Sequence, residues 1–355
     1  MKTLIAIDSL KGCLTSDEAN AAAAEAVRDI CPDAIIGQVP VSDGGEGFLT
    51  AFHAAIGGTE AETVVADALM RPVKARYLLN GTTAVIESAQ ASGLTLLTEQ
   101  ERNPLAATSY GTGQLVADAV RRGATHLIIG LGGSATSDAG IGMLRALVDF
   151  FAEGGTWDDV TALKDIRVTI ASDVRNPLCG ENGAAQVFAP QKGATPVMVA
   201  RLDARAARFA RLSARHFGYD RSTAAGAGAA GGMGYACMQY LHAEYTSGID
   251  LLLQTIGFRQ MARQADIIIT GEGRADRQTL MGKVPTGILR HAGSTPVALL
   301  AGSVSDRDLL LQAGFAHVEA INPPGFPLAE AMKKEVAQAH IRQTIRHLFQ
   351  SLIGH

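Results

Sequence analysis

The segment Val41-Ser42-Asp43-Gly44-Gly45-Glu46-Gly47 sets two carboxylates among three glycines directly after a β-like run at 35–41. Glycine lets the backbone approach a ligand and adopt positive φ, while Asp and Glu hold Mg²⁺ or take a proton. The combination suits polyphosphate or hydroxyl chemistry, although Asp-Gly by itself is also an ordinary turn signal. Repetition of such loops separates the two readings. Gly130-Leu131-Gly132-Gly133-Ser134-Ala135-Thr136 follows the apolar run 126–129 and leads toward a helix. Backbone N–H groups at a glycine-rich strand-to-helix turn form an anion nest reinforced by the helix N-terminus, and phosphate is its natural guest. Thr270-Gly271-Glu272-Gly273-Arg274-Ala275-Asp276 closes another apolar run and is followed by Gly282-Lys283. Acids, Arg and Lys at strand ends suit phosphoryl transfer, where catalysis is positioning plus charge neutralisation. Asp173 and Asn176 end the run 168–171, and Lys192 lies in Phe188-Ala189-Pro190-Gln191-Lys192-Gly193. Asp173 is of the type to bind Mg²⁺ or act as a base, and Lys192 to meet a phosphate or a carboxylate.

These loops need elements to position them. The run 4–7 ends at Asp8, and Thr15 and Glu18 stand at capping-box spacing ahead of an alanine-rich helix to about Ile30. Strand, polar loop, capped helix, strand opens a doubly wound α/β unit, whose ligand loops lie at the carboxyl ends of parallel strands. Between 60 and 86 the pattern alternates, and Asn80-Gly81 between two β-type runs predicts a hairpin within a second, mixed domain. Further strands are expected at 126–129, 168–171, 267–270 and 297–300, and an amphipathic helix or pair at 328–352. Arg201, Arg205, Arg208, Arg211 and Arg215, spaced by three or four, read as the solvated face of one helix.

With 355 residues, 47% hydrophobic and 19% charged, the chain is long enough for two domains with substantial cores. A net charge of −4 and scattered basic groups argue against nucleic acid as a partner. The four cysteines form no Cys-x-x-Cys pair, so reduced thiols in a cytoplasmic compartment are expected. No zinc pattern, signal-peptide core or membrane-length apolar run is present in the sequence. Lys283 lacks the Walker A spacing, and protein-kinase signatures are absent. Gly226-x-Gly228-x-x-Gly231 has no strand before it, which removes a dinucleotide reading there.

Taken together the motifs resemble the bacterial type I glycerate kinases. The resemblance rests on Ala6-Ile7-Asp8-Ser9-Leu10-Lys11, Asp43-Gly44-Gly45-Glu46-Gly47, Tyr110-Gly111-Thr112-Gly113 and Gly132-Gly133-Ser134-Ala135-Thr136. Pro190-Gln191-Lys192-Gly193-Ala194, the glycine tract 226–234, Thr270-Gly271-Glu272-Gly273-Arg274 and Gly282-Lys283-Val284-Pro285 extend it over nearly the whole chain. The sequence departs from the usual pattern at Ile7, at Ser137-Asp138-Ala139-Gly140, and in a shortened stretch between Leu147 and Val168.

The resemblance implies two α/β domains around a cleft, with Mg-ATP as donor and D-glycerate as acceptor, phosphorylated on its 2-hydroxyl in organic-acid catabolism. One domain is expected to be Rossmann-like with a parallel sheet, built from 1–58 plus 260–355, and the other a mixed-sheet insertion at 59–259. Asp43, Glu46, Lys11 and Asp8 are the catalytic candidates, with Asp43 and Glu46 as metal ligands, Asp43 as base and Lys11 neutralising the transferred phosphoryl. Gly130, Gly132, Gly133, Ser134, Thr136 and Glu272 are expected to hold ATP. Arg274, Lys192, Asp173, Asn176 and Lys283 are expected at the substrate, with Arg274 or Lys192 clamping the glycerate carboxylate. The sequence leaves open a homodimer, and 2- against 3-phosphoglycerate as product. Two other readings also stay open. One is a nicotinamide-dependent dehydrogenase of a small hydroxy acid that reads Gly130-x-Gly132-x-x-Ala135, with Asp149 or Glu153 as the distant acid. The other is a non-catalytic sensor of glycerate or nucleotide.

Overall fold

The computed structural model describes every residue except Lys11, Glu46, Gly354 and His355, so the catalytic expectations for Lys11 and Glu46 lie outside the described residues. In chain order the strands are β1 (Lys2–Ile7), β2 (Ile35–Gln38), β3 (Thr59–Ala66), β4 (Pro72–Asn80), β5 (Thr83–Glu87), β6 (His126–Gly130), β7 (Arg167–Ala171), β8 (Glu244–Thr246), β9 (Ile267–Ala275), β10 (Val297–Val304) and β11 (His317–Ala320). The chain divides into two compact units. The first holds residues 1–43, 50–56 and 249–355, and the second 44–49 and 57–248.

In the first unit the sheet order is β11-β10-β9-β1-β2, and every neighbouring pair is parallel. Numbered within the unit this is the doubly wound order 2-1-3-4-5, whose direction reverses between β1 and β9. Continuous apolar runs such as Leu4-Ile5-Ala6-Ile7 and Ile267-Ile268-Ile269 are buried, as strands covered on both faces must be. The helix Ser16–Ile30 begins as expected: Thr15 accepts from the Glu18 N–H and the Glu18 carboxylate accepts from the Thr15 N–H. Its alanines other than Ala21 are buried together with Ile5, Ile7, Ile269 and Leu300 and with Ile341, Ile345 and Phe349 of the helix Lys334–Ile353. Ion pairs Lys334–Glu18, Arg342–Glu25 and Arg346–Asp29 join the two helices at the surface. Exposed pairs of this kind contribute little, and the buried apolar face holds the helices together.

Two polar side chains of the helix Ser16–Ile30 fix the ends of the strands beneath it. Asn20, 1% exposed, accepts from the Ile7 N–H at 2.9 Å and donates to the Val39 carbonyl at 3.0 Å. The Ser16 hydroxyl donates to the Ile7 carbonyl at 2.6 Å and accepts from the Val41 N–H at 3.0 Å. The backbone leading into Asp8 and the backbone leading into Asp43 are thereby tied to one helical turn.

In the second unit the sheet order is β3-β4-β5-β6-β7-β8, antiparallel from β3 to β5 and parallel from β5 to β8. The hairpin expected at Asn80-Gly81 is present but displaced by one residue. Asn80 pairs with Thr83, and the loop is Gly81-Thr82, with Gly81 at φ 56°. Positive φ at the first loop position calls for glycine, so Gly81 takes that place and Asn80 stays in the ladder. The arginine-bearing segment is the helix Pro196–Phe217, and its arginines are exposed. The helices Tyr110–Arg121 and Ile141–Phe151 pack closely; a Cβ at Gly113 would lie 2.4 Å from the Met143 carbonyl oxygen, so a larger residue cannot stand there. No helix among the described residues is long and apolar enough to cross a membrane.

Asn20→Leu keeps the volume but strands the Ile7 N–H and the Val39 carbonyl in the core. Unfolding in urea is expected to show a loss of about 2–4 kcal/mol, since each buried orphan costs ~1–3 kcal/mol. A loss below ~0.5 kcal/mol would contradict the clamp.

Candidate active site

Thr270-Gly271-Glu272-Gly273-Arg274 is strand rather than loop: β9 runs on to Ala275 because β10 is long enough to pair with it, Ala301 with Glu272 and Ser303 with Arg274. Residues two apart on a strand share a face, so Glu272 and Arg274 point the same way. Beside them, the Asp8 N–H donates to the Gly271 carbonyl, and the Asp8 Oδ1 accepts from the Ser9 N–H at 2.8 Å. Asp8, Asp43, Glu272, Arg274 and Lys283 all line one cavity of about 870 Å³ at the carboxyl ends of β1, β9, β10 and β11. This is the place where ligands bind in open α/β sheets, at the reversal of strand order.

Glu272 is 6% exposed. It accepts from the Thr279 hydroxyl at 2.6 Å and from the Lys283 ammonium at 3.0 Å. Burial raises its carboxyl above the usual range, while Thr279 and Lys283 pull it back down. Lys283 is thus held at the cavity by a buried carboxylate. The Arg274 guanidinium is largely exposed, with its Nε 3.1 Å from Asp276.

The remaining expected site residues lie in the second unit. Gly130 ends β6, and the helix that follows starts only at Ile141, so the tight strand-turn-helix that a dinucleotide fingerprint requires is absent here. In the intervening loop the N–H groups of Leu131, Gly132, Ala135 and Ala139 donate to the carbonyls of Ala171, Gly44, Ser92 and Gly231. Gly132 lies so close to Gly44 and Gly45 that a Cβ there would clash with the Gly45 backbone. The anion expected at the helix N-terminus is the chain's own. Asp138, 5% exposed, accepts from the N–H groups of Ser109, Gly140 and Gly142 and from the Ser109 hydroxyl. The Met143 N–H donates in turn to the Ser109 hydroxyl.

Lys192 lies under this loop, 3% exposed, and donates to the Ser134 hydroxyl at 2.9 Å and the Thr136 carbonyl at 2.7 Å. Burial lowers its ammonium to about 7, with Asp138 acting in the opposite sense. The Thr136 and Ser137 hydroxyls nearby are buried without hydrogen-bond partners among the described residues. Asp173 accepts from the Ser247 hydroxyl at 2.6 Å, and the Asn176 amide donates to the Asn182 carbonyl.

Two sets of the described candidates are brought together, while Asp173 bonds to Ser247 and Asn176 to Asn182 instead. Asp8, Asp43, Glu272, Arg274 and Lys283 line one cavity in the first unit. Ser134, Thr136 and Lys192 form a hydrogen-bonded cluster in the second. Sequence reasoning passed over Asp138 and Ser109 as organisers, although an Asp shortly ahead of a helix is a cap signal. It also passed over Thr279, whose place three residues after Asp276 completes a capping box.

Lys192→Met gives a signed pH test. From about 7 up to the ordinary lysine value of 10.5 the unfolded chain binds this proton and the folded chain does not, so stability rises with pH across that window. The stability of the wild type relative to Lys192→Met, measured by urea unfolding, is expected to increase between pH 7 and pH 9 by up to ~1.4 kcal/mol per pH unit. A flat difference would show that the amine is not desolvated.

The family model described as the glycerate kinase family matches residues 3–353. A glycerate kinase of Bacillus subtilis (strain 168) is 39% identical over 375 aligned positions, covering 99% of this chain and 98% of that protein. A glycerate 2-kinase of Escherichia coli (strain K12) is 41% identical, covering 91% of this chain and 89% of that protein. Among solved structures, one described as glycerate kinase 2 from Salmonella typhimurium LT2 superimposes with a TM-score of 0.81 at 37% identity, covering 100% of this chain and 98% of that one. A match along the full chain, with the doubly wound sheet and its charged cavity, places this protein in the glycerate kinase family.

Proposed function

We propose that the protein transfers the γ-phosphoryl group of ATP to D-glycerate, giving 2-phospho-D-glycerate in organic-acid catabolism. The observation that carries the reading is the meeting of Asp8, Asp43, Glu272, Arg274 and Lys283 around one cavity at the strand-order reversal. Acids and bases are mixed there as phosphoryl transfer requires, with cations for the phosphates and carboxylates for a metal and a proton.

Among the described residues no group of three or more His, Cys, Asp or Glu is built to hold a metal. Mg²⁺ is ordinarily held by one or two carboxylates together with substrate phosphates, and Asp8 and Asp43 fit that demand. Asp43 and Glu46 were the ligands expected from sequence, and Asp8 joins Asp43 because both line the cavity. When bound, Mg²⁺ supplies charge neutralisation on the β- and γ-phosphates.

The chain's own residues do the rest. Asp43 takes the proton of the glycerate hydroxyl, Lys283 neutralises charge on the phosphoryl group, and Glu272 with Thr279 positions Lys283. Arg274, whose guanidinium is exposed, clamps the glycerate carboxylate. Lys192 is less suited to that task, with its amine buried and bonded to Ser134 and Thr136. In the second unit, Gly133, Ser134 and Thr136 supply the remaining donors of an anion-binding loop, since neighbouring amides are already bonded to carbonyls.

Coupled ADP release is expected to depend on D-glycerate, and phosphorus NMR of the product to show a 2-phosphate ester. ADP formation indifferent to D-glycerate would overturn the substrate. Asp43→Asn is expected to lower kcat by roughly 10²-fold or more, as loss of a general base does. Near-normal turnover would remove that role from Asp43.

A further inference from the structure

The cavity of the first unit has an apolar end: the segment after β11 lines it with Ile321, Pro323, Pro324, Phe326, Leu328 and Met332, and the charges nearest in sequence, Arg307 and Glu319, neutralise one another as an ion pair. Leu328 and Met332 are 75% and 39% exposed, so apolar surface stands open at the rim. The far wall is one face of the helix Lys334–Ile353: His340, Gln343, Thr344 and His347 line the cavity at helical spacing. Ala337, Ile341, Ile345 and Leu348 of the same helix are buried in the core.

The polar groups at this end are held in place. The Asn322 amide donates to the Gly302 carbonyl at 2.8 Å, which turns its Oδ1 toward His340 Nδ1 at 2.7 Å. A neutral His340 then carries its proton on Nδ1 and keeps Nε2 as an acceptor. The His340 ring stands edge-on to Phe326, with centroids 5.0 Å apart at 71°.

We propose that this apolar end binds the nucleoside of the phosphoryl donor, with the base against Phe326 and the triphosphate directed toward Asp8 and Lys283. The inference rests on the kinase reading above and adds where the donor lies. Three observations select a nucleotide over the acceptor. A cavity of about 870 Å³ is of the size that takes drug-sized ligands, and a three-carbon acid would leave most of it empty. Glycerate is polar throughout and has no half to match the apolar walls. A nucleoside triphosphate has a planar base to meet the apolar segment and a polyanionic tail to meet Lys283. The glycine loop of the second unit is less suited to a whole nucleotide, because the N-terminus of its following helix is already occupied by Asp138.

The test is Phe326→Ala in the full chain, with Phe326→Tyr as the conservative control for folding and for ring contact. Trinitrophenyl-ATP fluorescence, read without glycerate, is expected to show affinity weakened roughly tenfold in Phe326→Ala and restored in Phe326→Tyr. In turnover, KM for ATP should rise by a similar factor while KM for D-glycerate stays within about twofold. Photolabelling of the wild type with 8-azido-ATP should tag peptides from 321–347. Unchanged nucleotide affinity in Phe326→Ala, a rise confined to KM for D-glycerate, or labelling confined to 130–140 would each overturn the placement. The binding and labelling measurements need no turnover. A protein that binds ATP here yet releases no glycerate-dependent ADP would therefore fail the proposed reaction and still support the site.

Discussion

The pairing of β1 with β9 is the constraint on which the chemistry of the first unit depends. These strands are separated by most of the chain, yet they lie side by side, with the Asp8 N–H on the Gly271 carbonyl and the Thr270 hydroxyl on the Ala6 carbonyl at 2.8 Å. From β1 the chain moves outward to β2, and from β9 it moves the opposite way to β10 and β11. The loops leaving the two central strands therefore part, and the crevice between them is the cavity. Because a strand turns successive side chains to opposite faces, a one-residue slip would exchange Gly273 for Glu272 and Arg274. Register places the charges here, and the clamp by Asn20 and Ser16 keeps Asp8 and Asp43 tied to the same register.

Glu272, Asp138 and Lys192, three of the buried charges among the described residues, are handled in three ways, and the differences follow from what surrounds each. Glu272 meets a full opposite charge in Lys283, which itself reaches the cavity, so the pair carries positive charge outward from a buried anchor. Asp138 meets amides and a hydroxyl, the donors that a helix start offers and leaves unpaired within the helix. Lys192 meets a hydroxyl and a carbonyl, with Asp138 as the charge acting on it, and its ammonium is brought down to about 7. The first arrangement presents a cation to the cavity, whereas the other two stiffen a loop from beneath. Proximity of charged residues in sequence does not distinguish these cases; burial and the identity of the partners do.

Signals confined to one turn were legible in the sequence. The Thr15–Glu18 capping box, the strands opening each unit, the arginine face of the helix Pro196–Phe217 and the hairpin near Gly81 are all local. Even there the hairpin loop moved by one residue, because positive φ is needed at only one of its two positions. Glu272-Gly273-Arg274 read as loop because glycine usually breaks strands, and only the length of β10 made it strand. The cradle of Lys192 under Ser134 and the bond of Asn322 to His340 join segments that no periodicity connects. The motifs indicated which residues would matter, but the division of described candidates between a first-unit cavity and a second-unit cluster came only with the topology.

The helix Lys334–Ile353 shows how a strong pattern can hide a second one. Its apolar stripe of Ala337, Ile341, Ile345 and Leu348 marks it as a surface helix packed on a core, and that reading is correct as far as it goes. Arg342 and Arg346 take a second face, toward the acids of the helix Ser16–Ile30. The third face, His340, Gln343, Thr344 and His347, looks in sequence like an ordinary solvated surface, and it is a wall of the first-unit cavity. One helix thus closes the core, bonds to the chain's first helix and borders the cavity. Any molecule that binds the folded cavity must also favour the docked helix, because binding to the folded state alone stabilises whatever builds the site. Asp8 and His340, far apart in the chain, line one cavity, so occupancy of that cavity and docking of the helix are thermodynamically linked.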